Sequence, residues 1–397
     1  MPRDAVSQPP VASASPEETA ARLLDDNRAE DAESLLSDRI RSGGGTIPVW
    51  RLLGRAIRAQ GRLAEARTIQ ARLVDASPGD AIGRFDLAET LLLLGDYERG
   101  WREYRWRYHM PHTKAIERKV QRPRWDGKPM PGRTLLIHDE QGFGDTLQFM
   151  RLAKEAKARS GAHLVLEVTA PLLPLAQRMA GHDIVLPRGT LPPPFHAYCE
   201  LMSLPLVLGL RLDDLPGPIP YLTPDPLRRA VWQQRLSGLP RPLVALVWAG
   251  RPTHTNDANR SMSLADFSPL AQSAGTFLAI QKGPAAAEAL SPPSGMPILS
   301  LDDEIKDFED TAAILMVADV LVSVDSAPVH LAGALGRPAF VLLPMVPDWR
   351  WLMDREDTPW YPSVRLFRQR VRRDWRAPLS GIRAALEAGS YASGTGP

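Results

Sequence analysis

The sequence predicts an α + α/β protein: a helical repeat region followed by two units, each built on a parallel sheet, with a cleft between them. Three observations predict it. A short phrase recurs every 34 residues over the first hundred positions. After Pro131, brief β-rich runs alternate with helical stretches. A proline-rich segment, DLPGPIPYLTPDP, then divides that alternation into two series. Composition excludes several other classes. Of 397 residues, 48 are Lys or Arg and 46 are Asp or Glu, so the net charge of +2 carries no global nucleic-acid signal. At 44% hydrophobic the chain can bury full-sized cores, yet no apolar run approaches the ~18 residues of a membrane span. One cysteine, Cys199, rules out a disulfide framework or a Cys-rich zinc site. Proline is in excess, 38 of 397, and its position between elements fits a loop-rich enzyme with a hinge.

Residues 1–16, MPRDAVSQPPVASASP, read as a disordered tail without an export-signal pattern, which points to the cytoplasm. Residues 17–112 read as helical repeats. Asn27, Gly61 and Gly95 fall 34 residues apart, and four more columns share the register. They are Ala20/Gly54/Ala88, Leu23/Ile57/Leu91, Ala29/Leu63/Tyr97 and Ala32/Ala66/Gly100. Small residues where two helices approach, with apolar ones beside them, are what a stacked helix pair requires. The period and the phrases NRAEDAESLL, GRLAEARTIQARL and GDYERGWREYRW resemble the tetratricopeptide repeat. Such a solenoid can bind a protein or serve as a packing partner for the α/β domain after it. From Arg99 to Arg124, basic residues interleave with Trp101, Tyr104, Trp106 and Tyr108. With no global basic excess, we read this as a linker whose aromatics cap the last repeat, not a nucleic-acid surface.

The first α/β series predicts strands at 133–138, 163–168, 183–186 and within HAYCELMSLP, and one amphipathic helix over TLQFMRLAKEAKARS. The second predicts strands at 243–248, 276–281, 297–301, 320–324 and 339–343. Strands alternating with helices imply parallel sheets, and ligands of such sheets bind beyond the carboxyl ends of the strands. Candidate residues therefore come from the loops after strands. In Gln141-Gly142-Phe143-Gly144-Asp145-Thr146 the glycines let the backbone turn and approach a ligand, and Asp145 opens a helix. Asp145 with Gln148 also fits a capping box, so capping and catalysis both account for it. In Ser323-Val324-Asp325-Ser326-Ala327-Pro328-Val329-His330, Ser326 suits an N-cap and Pro328 the first turn. That places a helix N-terminus where a phosphate could bind, with His330 either facing the anion or filling a core. The loop from Trp248 to Ser261 offers Arg251 and Arg260 as phosphate contacts, and Lys282 comes after another strand. There is no G-x-x-x-x-G-K-[ST], G-x-S-x-G or H-E-x-x-H motif, and the eight histidines are dispersed, so no metal site is expected.

Four phrases, HDEQGFGDTLQF, VWAGRPTHTNDANRSMSL, DFEDTAAILMVADVLVSVDSAPVHLAGALGRP and DWRWLMDREDTPWYPSVRLFRQ, together resemble bacterial tetratricopeptide-repeat glycosyltransferases. Their catalytic part is similar to the ADP-heptose lipopolysaccharide heptosyltransferases. The resemblance covers about residues 84–378. It implies two Rossmann-like domains in a GT-B arrangement, an NDP-sugar co-substrate in the second half, no cofactor, and an inverting, metal-independent transfer. Asp145 matches the aspartate proposed as general base. Asp325, Ser326, Ala327 and His330 match the D-[ST]-[GA]-x-x-H phosphate motif, and Arg260 or Lys282 stands where a donor-phosphate cation is expected. Gly142, Gly144 and Arg251 complete the expected nucleotide-sugar site.

The expected layout is a first, acceptor-side half over 113–222, a second, nucleotide-sugar half over 223–378, and a C-terminal helix and tail over 379–397. The first α/β unit, 131–222, is short for a GT-B acceptor domain. The repeats could complete its wall, which fits a protein acceptor such as a flagellin, or a surface glycan. Two rival readings remain: a binding scaffold that has lost catalysis, and an NDP-sugar hydrolase or epimerase on the same fold.

Overall fold

The computed structural model describes residues 14–110, 121–254 and 256–391. Most of the expected N-terminal tail, Lys114, Arg118 and Lys119 of the basic stretch, and the last six residues lie outside them.

Six helices open the chain: α1 (Pro16–Asp25), α2 (Ala29–Arg41), α3 (Ile47–Ala59), α4 (Leu63–Ala76), α5 (Ala81–Leu93) and α6 (Tyr97–Tyr104). The first begins at Pro16 because Ser15 closes a reciprocal cap with Glu18. Each helix packs on the next. The turns inside the three pairs fall at Asn27, Gly61 and Gly95, with φ of 61°, 80° and 79°. The 34-residue spacing is thus a recurring left-handed turn, open to glycine and tolerated by asparagine. The small-residue columns sit where helices meet: Ala20, Ala32, Ala66 and Ala88 are fully buried.

The next unit runs β1 (Thr134–His138), α7 (Phe143–Phe149), α8 (Ala153–Ser160), β2 (His163–Val168), α9 (Leu173–Arg178), β3 (Ile184–Pro187), β4 (Ala197–Glu200) and α10 (Leu204–Leu208). Its sheet is all parallel, in the order β3-β2-β1-β4. The single helix expected over TLQFMRLAKEAKARS is α7 and α8 joined by a 3-10 turn at Met150–Leu152.

The last unit runs α11 (Pro226–Arg235), β5 (Leu243–Val247), α12 (Asp257–Arg260), β6 (Thr276–Ala279), β7 (Ile298–Ser300), α13 (Phe308–Val317), β8 (Val320–Val324), α14 (Ala327–Ala334), β9 (Ala339–Leu343), β10 (Val364–Arg368) and α15 (Arg376–Glu387). These strands form a parallel sheet in the order β10-β9-β8-β5-β6-β7. The edge strand β10 is an addition to the expected set. Its VRLFR text puts exposed Arg365 between buried Val364 and Leu366, the alternation of a strand with one open face. Alternate residues of β5 serve two cores. Leu243, Ala245 and Val247 face a core shared with the rest of the chain, while Val244 and Leu246 face one closed by Phe267 and Ile382.

The helical region is not a separate lobe. Trp101 of α6 packs edge-on against Phe149 of α7 and against Trp349, which lies beyond β9. Tyr97 accepts a hydrogen bond from the Trp360 indole at 3.1 Å. Burying one such ring contributes roughly 2–3 kcal/mol. At the other end of the repeats, Arg372 donates to the Ala59 carbonyl (2.7 Å) and the Asn27 carbonyl (3.0 Å), and Asn27 bonds to Asn259. Of the aromatics expected to cap a solvated linker, Trp101 and Tyr104 are therefore core residues while Trp106 and Tyr108 are half-buried, and Arg107 beside them is 2% exposed. The 214–226 segment is irregular but held: Tyr221 donates to the Leu147 carbonyl at 2.8 Å and its N–H to the Ala334 carbonyl at 3.0 Å.

Candidate functional site

In the second sheet the strand order reverses between β5 and β8, and in the first between β1 and β4. Crevices form at such switch points beyond the carboxyl ends of the strands. The segments after β1, β5, β8 and β9 converge there.

After β1 the chain reaches α7, whose N-cap is Gly142, not Asp145. Asp145 is the third helical residue, and its Oδ2 accepts the Gly142 N–H at 2.9 Å. Gln148 does not close a box with it, as the sequence suggested. Gln148 instead accepts from Arg350 Nε at 2.7 Å. The same guanidinium pairs with Asp145 Oδ1 and donates to Asp348 Oδ1 at 2.8 Å. Arg350 is 7% exposed and stacks on Trp349, with 4.2 Å from its Cζ to the ring centroid. One buried cation from beyond β9 therefore fixes the carboxylate of the first half. Each Asp145 oxygen holds one donor and retains a second lone pair. Burial pushes Asp348 upward, but the guanidinium and backbone N–H of Arg350 outweigh it and hold the carboxyl below its ordinary range.

After β8 come buried Asp325 and then α14. Ser326 is the N-cap by position, yet its hydroxyl does not cap the helix; it lies 3.0 Å from Ser323 Oγ. Among the described residues no side chain caps the start of α14. Burial, with Asp348 adding to it, pushes Asp325 up to about 6 against the pull of Arg260. Arg260, at the end of α12, donates to the Asp325 carbonyl at 3.0 Å. Its position depends on Gly250, where a Cβ would lie 2.7 Å from the guanidinium.

Three expected contacts are corrected. Gly144 gives its space to a neighbouring helix, not to a ligand: a Cβ there would meet His330 Cδ2 at 2.9 Å and the Ala327 Cα at 3.6 Å. Neither Gly142 nor Gly144 has a positive φ, so neither turns the backbone as the sequence suggested. His330 is walled in rather than anion-facing. It stacks on Trp351 at 5.4 Å, its Nδ1 is 3.1 Å from Tyr361 Oη, and its Cδ2 edge faces Gly144. Burial first, then Arg350, lowers it to about 3, so the imidazole is neutral at physiological pH. Lys282 is engaged by the segment after β7, donating to the Asp302 carbonyl at 2.6 Å and pairing with the Asp302 carboxylate at 2.7 Å. Ala327 lies at the α7–α14 contact, and Arg251 is exposed on the β5 loop.

The structure adds residues that sequence reasoning passed over. Arg350 and Asp348 lie in the quoted phrase DWRWLM, and their place just past β9 was the available signal. His254, on the β5 loop, is lowered by partial burial first and by Arg260 next, with Asp348 and Asp145 opposing, which puts it within electrostatic reach of all three. Glu140 is buried with Arg107, whose guanidinium is 3.0 Å from Oε1, while among the described residues Oε2 has no hydrogen-bond partner. Burial pushes it up to about 7, with Glu200 adding to the shift and Arg107 opposing it. Among the described residues no group of three His, Cys, Asp or Glu side chains is arranged to hold a metal, and no helix is long and apolar enough to cross a membrane.

No family model matches the chain. It is 28% identical over 350 residues to protein FlbA of Caulobacter vibrioides, an alignment covering 80% of this chain and 58% of that protein. The chain therefore spans less than two thirds of that relative's length. Among solved structures it is similar to the ADP-heptose LPS heptosyltransferase II of E. coli, with a TM-score of 0.47 at 14% identity, covering 65% of this chain and 99% of that one. It is also similar to a glycosyl transferase family 9 protein of Veillonella parvula, with a TM-score of 0.45 at 11% identity, covering 62% and 88%.

Proposed function

We propose that the protein is a glycosyltransferase that moves a sugar from an NDP-sugar to a protein (flagellin-like) or surface-glycan acceptor, with inversion and without a metal. The observation that carries this reading is the meeting of α7 and α14 across the crevice. A carboxylate, Asp145, stands at the start of one helix. The start of the other carries no side-chain cap, and Arg260 lies on its rim. Inverting transfer needs that asymmetry. The acceptor oxygen attacks the anomeric carbon from the face opposite the nucleotide, Asp145 takes the hydroxyl proton, and the bond from carbon to diphosphate oxygen breaks. The charge left on the diphosphate is met by Arg260 and the α14 N-terminus. Neutral His330 holds α7 and α14 at their spacing, and Arg350 fixes the Asp145 rotamer. The helical pairs read as tetratricopeptide-like and supply a partner or acceptor surface, and a cytoplasmic site suits the nucleotide-sugar.

Titrating the pure protein calorimetrically with NDP-sugars, then analysing products with and without acceptor, tests the reading. Binding of one NDP-sugar with acceptor-dependent transfer is expected. No heat with any of them would leave a binding scaffold, and sugar release or isomerisation without acceptor would make it a hydrolase or epimerase.

A further inference from the structure

The arginines of the helical region fall into two sets. Across α3 and α5 they are matched: Arg55 pairs with Asp86 at 2.7 Å and Arg58 with Glu89 at 2.6 Å. On the opposite side, α4, α5 and α6 enclose a groove of about 590 Å³ whose walls carry Arg67, Arg72, Arg99 and Arg102 over a floor of Leu87 and Leu91. Among the described residues Arg99 and Arg102 pair only locally, Arg99 with half-buried Asp96 at the N-cap of α6 and Arg102 with exposed Glu98. Exposed pairs of neighbouring residues on a helix are weak and can yield to a better anion. Among the described residues, the guanidiniums of Arg67 and Arg72 have neither a hydrogen bond nor an ion pair. Of the two acidic residues that line it, Glu103 is taken by Arg84 at 2.7 Å, and Asp75 stands on the α4 wall with Arg67 and Arg72. The groove is thus net cationic and aliphatic beneath, and among the described residues no aromatic ring lines it for a base to stack on.

We propose that this groove docks an acidic segment of a partner polypeptide, with carboxylates on Arg67 and Arg72 and an aliphatic side chain over Leu87 and Leu91. The inference deepens the reading of the helical region as a partner surface and is independent of the transfer chemistry. The groove is formed by the outer faces of α4 and α6, while the inner face of α6 holds Trp101 and Tyr104 against the α/β units. A docked chain therefore leaves the crevice open.

The test is fluorescence anisotropy with the full-length protein. The probe is a labelled peptide of about twelve residues mixing Asp, Glu, Leu and Ser. Its Asn/Gln counterpart and an oligothymidylate of similar length are run beside it. The acidic peptide should bind with an affinity that falls as salt rises, because exposed charges are screened. Binding should weaken roughly tenfold or more in Arg67→Glu/Arg72→Glu and stay unchanged in Arg22→Glu/Arg39→Glu, a charge-matched pair elsewhere on the helices. Equal binding of the neutral peptide, equal or tighter binding of the oligonucleotide, or no effect of Arg67→Glu/Arg72→Glu would each overturn the proposal. Both double variants alter exposed helix positions, and circular dichroism verifies their fold. NDP-sugar titration of Arg67→Glu/Arg72→Glu should match wild type, so failure of docking and failure of the transferase reading give different results.

Discussion

Helices α7 and α14 start alike, each a few residues past the carboxyl end of a central strand, yet their first turns are completed in opposite ways. The start of α7 is filled by its own carboxylate, which reaches back to the Gly142 N–H and is gripped by Arg350. At α14 the obvious capping hydroxyl turns aside to Ser323, leaving the helix start uncapped. Local backbone satisfaction alone would have favoured a cap at both. In the transfer proposed above, this contrast would give a proton acceptor to one side of the crevice and an anion seat to the other.

The most severe way to break this contrast is Asp145→Asn, which keeps the shape and removes the base. Acceptor-dependent transfer should fall by about 10²–10⁴-fold while calorimetric NDP-sugar affinity stays near wild type. A wild-type rate would end the base assignment. Next comes Arg350→Met, which leaves Asp145 and Asp348 without their shared cation. Chemical unfolding should show a loss of about 1–3 kcal/mol, the cost of losing charge-assisted hydrogen bonds to two half-buried carboxylates. A loss under ~1 kcal/mol would mean that solvent replaces the guanidinium. Gly144→Ala presses a methyl group against His330 and should cost about 1–3 kcal/mol by the same measurement; a neutral effect would show that α7 and α14 are free to part.

Two smaller changes sharpen the α14 side. Asp325 has a folded pKa of about 6, above the ordinary aspartate value. The native state therefore binds more protons than the unfolded chain between pH 4 and 6, and its stability falls as pH rises through that window. Asp325→Asn removes the ionisation, so its melting temperature relative to wild type should be higher at pH 7.5 than at pH 4.5. A gap that does not change with pH would contradict it. Finally, Ser326→Asp places a carboxylate at the N-cap of α14, whereas α7 carries its own at the third helical residue. Stability should hold or rise slightly, while NDP-sugar affinity drops about tenfold through charge repulsion. Unchanged affinity would move the diphosphate away from this helix.

Features that depend on neighbours in sequence were legible. Runs such as LVALV and VLVSV marked buried parallel strands, and the column Asn27, Gly61, Gly95 marked the 34-residue period, which the fold explains as a recurring turn of positive φ. Asp145 was legible as important but was misplaced within its helix. The Asp-x-x-Gln pattern reads forward from a cap, whereas this carboxylate reaches back to one. Arg350 was illegible as a site residue because its partners Asp145 and Gln148 lie 205 and 202 positions earlier, a pairing that only the folded topology creates. Lys282 misled for the converse reason. A lone cation after a strand looks available, and nothing local reveals that a turn twenty residues on will claim it.

The attachments of the helical region bear on how the crevice can open. Its last helix is embedded among Phe149 of the first unit and Trp349 and Trp360 of the second, and its earlier turns are strapped by Arg372. The repeats thus lie across the joint like a splint. If the units swing apart at the 214–226 segment, the pivot must lie close to that aromatic cluster, since a hinge placed elsewhere would have to tear rings from their sockets. Anything that stiffens or slackens the helices would be felt as a change in the stroke of the crevice, with no residue of the chemistry touched.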